Sequence, residues 1–471
     1  MLTISRTGLD ESQTTRLSRR TFLVAGAIGG GLSLASLLRA EAAAGIGSSR
    51  KAVIFVHLDG GPPHLDTIDL KPEAPSEIRG EFSGIPTTIA GYRICEHLPK
   101  LASLASKLVF VRSLVGAAGA HDAFQCQSGF EAKDLASVGG RPALGCVVHK
   151  LQGKKDDPAP SFVDLMQGRA LVRNSARPGF LGPSYAPFRP DISHLFHREL
   201  EPGMKGELAR RGESHTQRLS LLEELSADRL TSRTSLLSGL DKLRRRADAA
   251  GMMDAMDSFT QQAVGILTSG QFADALDLSK EDPRVLSRYA LATIASGPAS
   301  TTSDNAGATK KFLLARRLIE AGVRCVSISI SDFDTHSSNF PRMKGVLPIV
   351  DHGLGTLIEE LDERGMLGDV SIVAWGEFGR TPTIDAKSGG RHHWPAVGPA
   401  LLAGGGMRGG QVIGETDRYG RTAVSRPVHY KDVFATLYHN LGLPARQTTV
   451  TDPSGRPQYL LDAGEVIREA V

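Results

Sequence analysis

The chain has 471 residues, of which 41% are hydrophobic and 23% are charged, and these values are ordinary for a soluble globular protein. Its formal net charge of +4 is too small to indicate strong attraction to nucleic acid, so we expect no nucleic-acid partner. The length is sufficient for a large core and two structural units.

The N-terminus has the pattern of an export signal. Residues 18–23 read Ser-Arg-Arg-Thr-Phe-Leu, a twin-arginine pattern, and a glycine-rich apolar stretch follows at 23–38. Alanines at 42–44 are typical of a cleavage site. The alternative, a membrane anchor, needs about 20 apolar residues without such interruptions. We therefore predict that residues 1–44 are a signal peptide and that the twin-arginine export machinery is a partner. We expect a periplasmic or secreted protein with no stable membrane span.

Residues 45–195 are predicted to form the first part of an α/β domain. A strand at 52–58 ends at Asp59, where Gly60 and Gly61 permit a sharp turn. A further strand at 108–114 leads through a glycine-rich segment to His121.

Residues 196–300 differ in character, since they are rich in Leu, Ala, Arg, Glu and Ser. Leucines recur there at helical intervals, at Leu219, Leu222, Leu225, Leu236, Leu237, Leu240 and Leu243. This pattern predicts a helical insertion packed on or beside the sheet.

Residues 301–471 return to alternating helices and strands. The predicted elements are a helix at 310–321, a strand at 323–330, a helix at 347–364, strands at 370–375 and 400–403, and a helix at 431–441. Short apolar strands separated by helices indicate an α/β fold with a mostly parallel central sheet and helices on both faces.

Acidic and imidazole side chains follow several of these strands. In open parallel sheets, ligands bind outside the carboxyl ends of the strands, so such side chains are expected to meet there. The candidate metal ligands are Asp59, Asp334, His336, Glu377 and His393. A mixture of carboxylate and imidazole favours a divalent metal, Zn²⁺ or Mn²⁺ rather than Ca²⁺ or Mg²⁺.

Each candidate also has an alternative interpretation. Asp59 precedes a glycine, a common turn pair. Asp334 and His336 are two residues apart and therefore point to the same side in extended backbone, but they could instead be a hydrogen-bonded pair that fixes a loop. Glu377 could form an ion pair with Arg380. His393 could be a solvated residue of a surface loop.

Three further residues are candidates for catalysis. Arg380 and Arg391 could each hold the oxygen atoms of an anionic group through a planar guanidinium. His121 could act as a general acid or base. The four cysteines show no C-x-x-C spacing, so they are either small buried hydrophobic residues or form one or two disulfides.

Several motifs together resemble the family called domain of unknown function 1501. They are GGPPHLDTIDLKP at 60–72, IRGEF at 78–82, DFDTHSSNF at 332–340, WGEFGRTP at 375–382 and GGRHHWP at 389–395. That family is similar to the alkaline phosphatase and sulfatase superfamily. The resemblance implies a parallel sheet between helices, one or two divalent metals, and Asp59, Asp334, His336, Glu377 and His393 at the ligand positions.

The resemblance also implies hydrolysis or transfer of phosphate or sulfate esters. The superfamily nucleophile is a Ser, Thr or modified Cys after the second strand, but residues 115–127 contain no Ser or Thr, and His121 and Cys126 stand there. Phe378 also replaces a superfamily histidine. We therefore expect an exported metal-dependent hydrolase of small-molecule or polysaccharide esters. The alternative is a non-catalytic binding protein for an anionic ligand on the same fold.

Overall fold

The computed structural model describes residues 51–121, 124–135, 139–154, 157–173, 176–196, 270–292 and 304–471. Within them the strands are β1 (Ala52–Asp59), β2 (Gly84–Pro86), β3 (Arg93–Cys95), β4 (Leu108–Val115), β5 (Phe162–Asp164), β6 (Cys325–Ser331), β7 (Val370–Trp375), β8 (Gly379–Arg380), β9 (His393–Trp394), β10 (Gly398–Gly404), β11 (Gln411–Ile413), β12 (Glu415–Thr416), β13 (Ala423–Ser425), β14 (Val428–His429), β15 (Thr449–Thr451) and β16 (Pro457–Tyr459).

The α-helices in the same residues are α1 (Ser76–Arg79), α2 (Pro99–Ser103), α3 (Gln125–Ser128), α4 (Leu144–Gln152), α5 (Arg169–Arg173), α6 (Gln271–Leu276), α7 (Pro283–Arg288), α8 (Lys310–Glu320), α9 (Asn339–Glu363) and α10 (Tyr430–Asn440).

Eight strands form the central sheet, in the order β11-β4-β10-β7-β1-β6-β5, with β14 also paired to β4. β1 runs parallel to both of its neighbours, β6 and β7. The carboxyl ends of these three strands therefore lie side by side. The sheet is mixed but mostly parallel, which confirms the predicted fold class.

Alternate residues of β1 pack into two separate cores, as the period of two requires. Ile54 and Val56 face the first core, together with Leu313 of α8 and Leu357 of α9. Val53 and Phe55 face the second, together with residues of α4 and α10 such as Val147, Phe434 and Leu437. Helices thus cover both faces of the sheet, and the buried strands carry near-continuous apolar sequence for that reason.

Two elements differ from the sequence prediction. β10 is antiparallel to both β4 and β7, and no α-helix lies between β7 and β10 along the chain. α9 begins at Asn339 rather than near Leu347, and Pro348 lies inside it. Burial of Met343 and Val346 in the first core offsets the hydrogen bond that Pro348 cannot donate.

The predicted signal peptide lies outside the described residues, and so does most of the predicted insertion at 196–300. The part of the insertion that is described, 270–292, carries α6 and α7, and Phe272 of α6 is buried in the first core. No helix in the described ranges is both long and apolar enough to cross a membrane. All four cysteines are buried and free, which confirms the first of the two interpretations.

Candidate metal centre

All five predicted ligands lie at the carboxyl edge of the sheet, but their donor atoms form two groups rather than one. Within each group the donor atoms lie within 4.8 Å of one another. The outer donor group consists of His121, Asp334, His336 and His393, and the inner donor group consists of His57, Asp59 and Glu377. The expectation of a single cluster around one point is thereby replaced by two adjacent clusters.

Three atoms of the outer donor group form a compact triangle. His336 Nε2 lies 3.0 Å from His393 Nε2 and 3.0 Å from Asp334 Oδ1. His393 Nε2 lies 3.5 Å from the same oxygen. Ligand atoms of a tetrahedral zinc site, with bonds of about 2.0–2.1 Å, lie about 3.3–3.4 Å apart. The triangle therefore has the dimensions of one face of such a site.

The protonation of His336 suits it to bind a cation. Burial, together with the nearby charges of Arg380, His393 and His392, outweighs the attraction of Asp334 and lowers the pKa of His336 to about 4. The imidazole is therefore neutral near pH 7. A neutral ring can offer a lone pair to a metal without first losing a proton.

Asp334 is held in its ionised form by several partners. Burial alone would raise the pKa of this carboxyl, but hydrogen bonds from His121 and His393 and the charge of Arg380 outweigh it and lower the pKa well below the usual range. Arg380 Nη2 lies 2.6 Å from Oδ1, and Arg169 Nη1 lies 2.8 Å from Oδ2. The position and charge of Asp334 are thus both fixed.

The inner donor group is almost completely buried, since His57, Asp59 and Glu377 are 1%, 4% and 0% exposed. Glu377 Oε2 lies 3.4 Å from His57 Nε2, and Glu377 Oε1 accepts a hydrogen bond of 3.1 Å from the backbone of Gly60. Burial opposes ionisation of Glu377, but His121 and His57 outweigh it and lower its pKa. Glu377 therefore presents a charged carboxylate inside the protein.

His121 connects the two groups. Its Nδ1 lies 2.9 Å from Glu377 Oε1 and its Nε2 lies 3.3 Å from Asp334 Oδ2. Burial disfavours the charged ring, but the hydrogen bonds to Asp334 and Glu377 raise the pKa of His121 to about 9. In the metal-free protein both ring nitrogens therefore donate to carboxylates.

Phe378 lies against the imidazoles of this centre. Its ring centroid is 4.3 Å from that of His393 and 5.3 Å from that of His121. Phe378 is thus an apolar wall of this centre, and it is 1% exposed. The imidazole of the inner donor group comes from His57.

Gly60 sets the distance between the two groups. It adopts φ +108°, a conformation that side chains rarely allow, and a Cβ atom there would lie 2.8 Å from Asp334 Cα. The end of β1 can approach the segment after β6 this closely only because position 60 has no side chain.

The two predicted anion-binding arginines are both fully buried. Arg380 contacts Asp334 and the carbonyl oxygens of Gly60, Gly61 and Arg391. It therefore positions Asp334, and the alternative in which Arg380 pairs with Glu377 is not the arrangement that the structure contains.

Arg391 is buried among protein oxygen atoms. Its guanidinium donates two hydrogen bonds of 2.8 Å to Asp66, through Nε and Nη2, and others to the carbonyl oxygens of Ile78, Thr381 and Pro382. All of its donors are directed at protein oxygens. The structure thus places Arg391 as an anchor of the loop that carries His393.

Two residues of the centre were not predicted from the sequence. His57 precedes Asp59 by two residues on β1, so the rule that grouped Asp334 with His336 would have found it. Arg169 begins α5, and its Nη1 lies 3.4 Å from His121 Nε2. No feature of the sequence around Arg169 indicated that it would reach this site.

Cys126 is not placed for nucleophilic attack. It is completely buried in the second core, and desolvation raises the pKa of its thiol well above the usual range. A thiolate would not form there near neutral pH.

Comparison of the structure with solved structures gives distant likenesses over most of the chain. With the PsFucS1 sulfatase from Pseudoalteromonas sp., identity is 14% and the TM-score is 0.38, over 86% of this chain and 70% of that one. With the lipoteichoic acid synthase LtaP from Listeria monocytogenes, identity is 12% and the TM-score is 0.33, over 84% and 73%. With the phosphonate monoester hydrolase of Agrobacterium radiobacter, identity is 15% and the TM-score is 0.34, over 89% of this chain and 77% of that one.

No curated protein matches the chain. A family model does match, over residues 50–471, and its description is "Protein of unknown function (DUF1501)". This match covers nearly all of the sequence outside the predicted signal peptide and includes every residue of both donor groups. The chain therefore belongs to the DUF1501 family.

Proposed function

We propose that the protein is a metal-dependent hydrolase of phosphate or sulfate esters. The observation that carries the proposal is the triangle formed by His336 Nε2, His393 Nε2 and Asp334 Oδ1, with edges of 3.0, 3.0 and 3.5 Å. Many catalytic zinc sites have this donor set, in which two imidazoles and one carboxylate bind the ion and a fourth position is left for water or substrate.

The outer donor group would hold one ion through Asp334, His336 and His393, and the inner donor group would hold a second through His57, Asp59 and Glu377. The mixed nitrogen and oxygen donors favour Zn²⁺ or Mn²⁺ over Ca²⁺ or Mg²⁺. When bound, such an ion polarises an ester oxygen and acidifies a water molecule.

The surrounding side chains have distinct roles in this proposal. Arg169 has 12% of its side chain exposed and lies between Asp334 and His121, so its guanidinium is the cation that an incoming anionic ester meets. His121 is placed to move a proton, a role that typically contributes about 10²–10⁴-fold. The 115–127 segment has no Ser or Thr and Cys126 is buried, so in this proposal the attacking group is water.

The test is metal analysis of the purified protein combined with a panel of phosphate and sulfate esters. We expect bound Zn²⁺ or Mn²⁺ and turnover that a chelator removes and added metal restores. Absence of bound metal, together with no turnover in Zn²⁺, Mn²⁺, Mg²⁺ or Ca²⁺, would reject the proposal.

A second candidate is a non-catalytic binding protein for an anionic small molecule or polysaccharide. It is favoured by the absence of a hydroxyl nucleophile in the 115–127 segment. Thermal stabilisation by a sulfated or phosphorylated ligand without turnover would support it. Turnover that disappears in Asp334→Asn would count against it.

We also infer that the protein is exported by the twin-arginine route to the periplasm or beyond. The support is the sequence pattern at 18–23 and the alanines at 42–44. That route carries folded proteins, so the ion would be acquired before export. Replacing Arg19 and Arg20 by lysine should retain the protein in the cytoplasm, as fractionation would show.

A further inference from the structure

His336 is the first member of a chain of three side chains, His336, His392 and Asp385, that ends at the protein surface. Its Nε2 faces the outer donor group, and its Nδ1 lies 2.9 Å from His392 Nδ1. On the far side of that ring, His392 Nε2 lies 3.6 Å from Asp385 Oδ2. His392 itself belongs to neither donor group.

The contacts along this chain suit a metal ion on His336 Nε2. Such an ion would leave the ring hydrogen of His336 on Nδ1, which faces His392 Nδ1 at 2.9 Å. His392 Nδ1 would accept that hydrogen bond, and the other ring nitrogen of His392, Nε2, faces Asp385 Oδ2 at 3.6 Å.

Asp385 is held ionised and in place by its own loop. Its Oδ1 accepts hydrogen bonds from the backbone of Ser388 at 2.7 Å and of Lys387 at 3.0 Å. These contacts, with a smaller contribution from His392, lower the pKa of Asp385 to about 2. Oδ2 is left to face His392.

The two histidines sit on backbone segments that are fastened to each other. Ser338 N donates to Ser388 O at 2.9 Å, and Asn339 N donates to Gly389 O at 3.0 Å. The backbone N–H of His392 donates to Thr381 Oγ1 at 3.0 Å. The contact between His336 and His392 is therefore supported on both sides by ordered backbone.

We propose that His392 and Asp385 are positioning residues for the metal centre: they fix the ring orientation and the tautomer of His336 so that Nε2 is available to the ion. The inference rests on the proposed function, because it assigns the outer donor group to a metal. It adds two residues that act only through His336. Loss of such partners of metal-binding histidines typically costs about 10–100-fold in metal affinity.

The experiment measures Zn²⁺ affinity by competition with a chromophoric chelator. We expect binding to weaken about 10–100-fold in His392→Ala. In His392→Asn the amide oxygen takes the place of Nδ1 as acceptor, so affinity should be largely restored. Asp385→Asn keeps its loop contacts and should weaken binding less than His392→Ala does. The control His439→Ala removes an exposed histidine of α10 and should change nothing.

A second readout is nitrogen-15 NMR of histidine-labelled, Zn²⁺-loaded protein, with the His336 signals assigned by comparison with His336→Gln. We expect hydrogen on Nδ1 of His336 and faster exchange of that hydrogen with solvent in His392→Ala. Equal Zn²⁺ affinity of wild type and His392→Ala, or hydrogen exchange unchanged between them, would overturn the positioning role and leave the proposed function intact. A wild-type protein that binds no metal and shows no turnover in Zn²⁺, Mn²⁺, Mg²⁺ or Ca²⁺ would instead remove the proposed function, and the positioning role with it.

Discussion

Arg380 donates a hydrogen bond of 2.6 Å to Asp334 from a side chain that is entirely buried. The guanidinium also contacts three backbone carbonyl oxygens. This pair therefore ties the candidate metal centre to the packing of the strand ends.

Replacing Arg380 with Met should destabilise the fold. The change leaves carbonyl oxygens of buried backbone unsatisfied and removes the partner of a carboxylate, so we expect a loss of about 3–5 kcal/mol in the free energy of unfolding. Urea denaturation of the metal-free protein measures it. The exposed Arg421→Met is the matched control, and a loss below about 1 kcal/mol in Arg380→Met would contradict the buried-anchor role.

Removing members of the donor triangle should abolish metal-linked stability. In wild type, free Zn²⁺ at about 100 times its dissociation constant should add about 2.7 kcal/mol to the free energy of unfolding. We expect Asp334→Asn, His336→Ala and His393→Ala to lose most of this increment, and a chelator to remove it from wild type. Thermal denaturation with and without metal checks this, and His439→Ala should behave as wild type. An increment retained in all three variants would place the ion elsewhere.

Metal affinity should depend on pH through His121. Its pKa is raised from 6.5 to about 9 in the metal-free protein, and a cation at the outer donor group must displace this imidazolium from Asp334. As the pH is raised toward 9, metal affinity should therefore increase about tenfold per pH unit, because one proton is released on binding. Above pH 9 the affinity should level off.

The same shift has a consequence for stability. A histidine whose folded pKa is raised stabilises the metal-free protein fully below pH 6.5, and this contribution is lost as the pH rises through about 9. Calorimetry of metal binding in buffers of different ionisation enthalpy counts the proton that binding releases. His121→Asn should flatten both dependences, and an unchanged slope in that variant would assign the proton to another group.

Arg391 should prove structural rather than substrate-binding. Arg391→Gln breaks a completely buried pair with Asp66, and we expect a loss of about 3–5 kcal/mol in stability. Urea denaturation measures this loss, and steady-state kinetics on the folded fraction provides the second readout. Unchanged stability with a raised KM would restore the anion-binding role predicted from the sequence.

Much of this fold can be predicted from the sequence because its strands are buried on both faces. The predicted strands at 52–58 and 370–375 are mostly apolar runs, and the structure ends the first one residue later, at Asp59, and the second at Trp375 as predicted. The strand that ends near Asp332 is similar. Such runs also fix where the polar side chains that follow them emerge, and Asp59, Asp334, His336 and Glu377 lie at one edge of the sheet for that reason. His393 belongs instead to β9, outside the central sheet.

The paths of the long loops could not be predicted from the sequence. The segment after β4 reaches across β10 to bring His121 between Asp334 and Glu377, and no local pattern encodes that distance. The same holds for Arg169, whose segment follows the short strand β5. Sequence chemistry alone cannot distinguish Arg380 and Arg391 from exposed anion-binding arginines either, because the oxygen atoms that surround them come from segments far apart in the chain.

The contact of Gly60 with Asp334 makes the geometry of this centre sensitive to any side chain at position 60. The backbone N–H of Gly60 bonds to Glu377 on one side, while its missing side chain admits Asp334 on the other. One residue with no functional group therefore acts as the spacer between the ends of β1, β6 and β7. A chain that kept every donor atom but gained a single methyl group at position 60 would carry all the chemistry of the centre at the wrong separation.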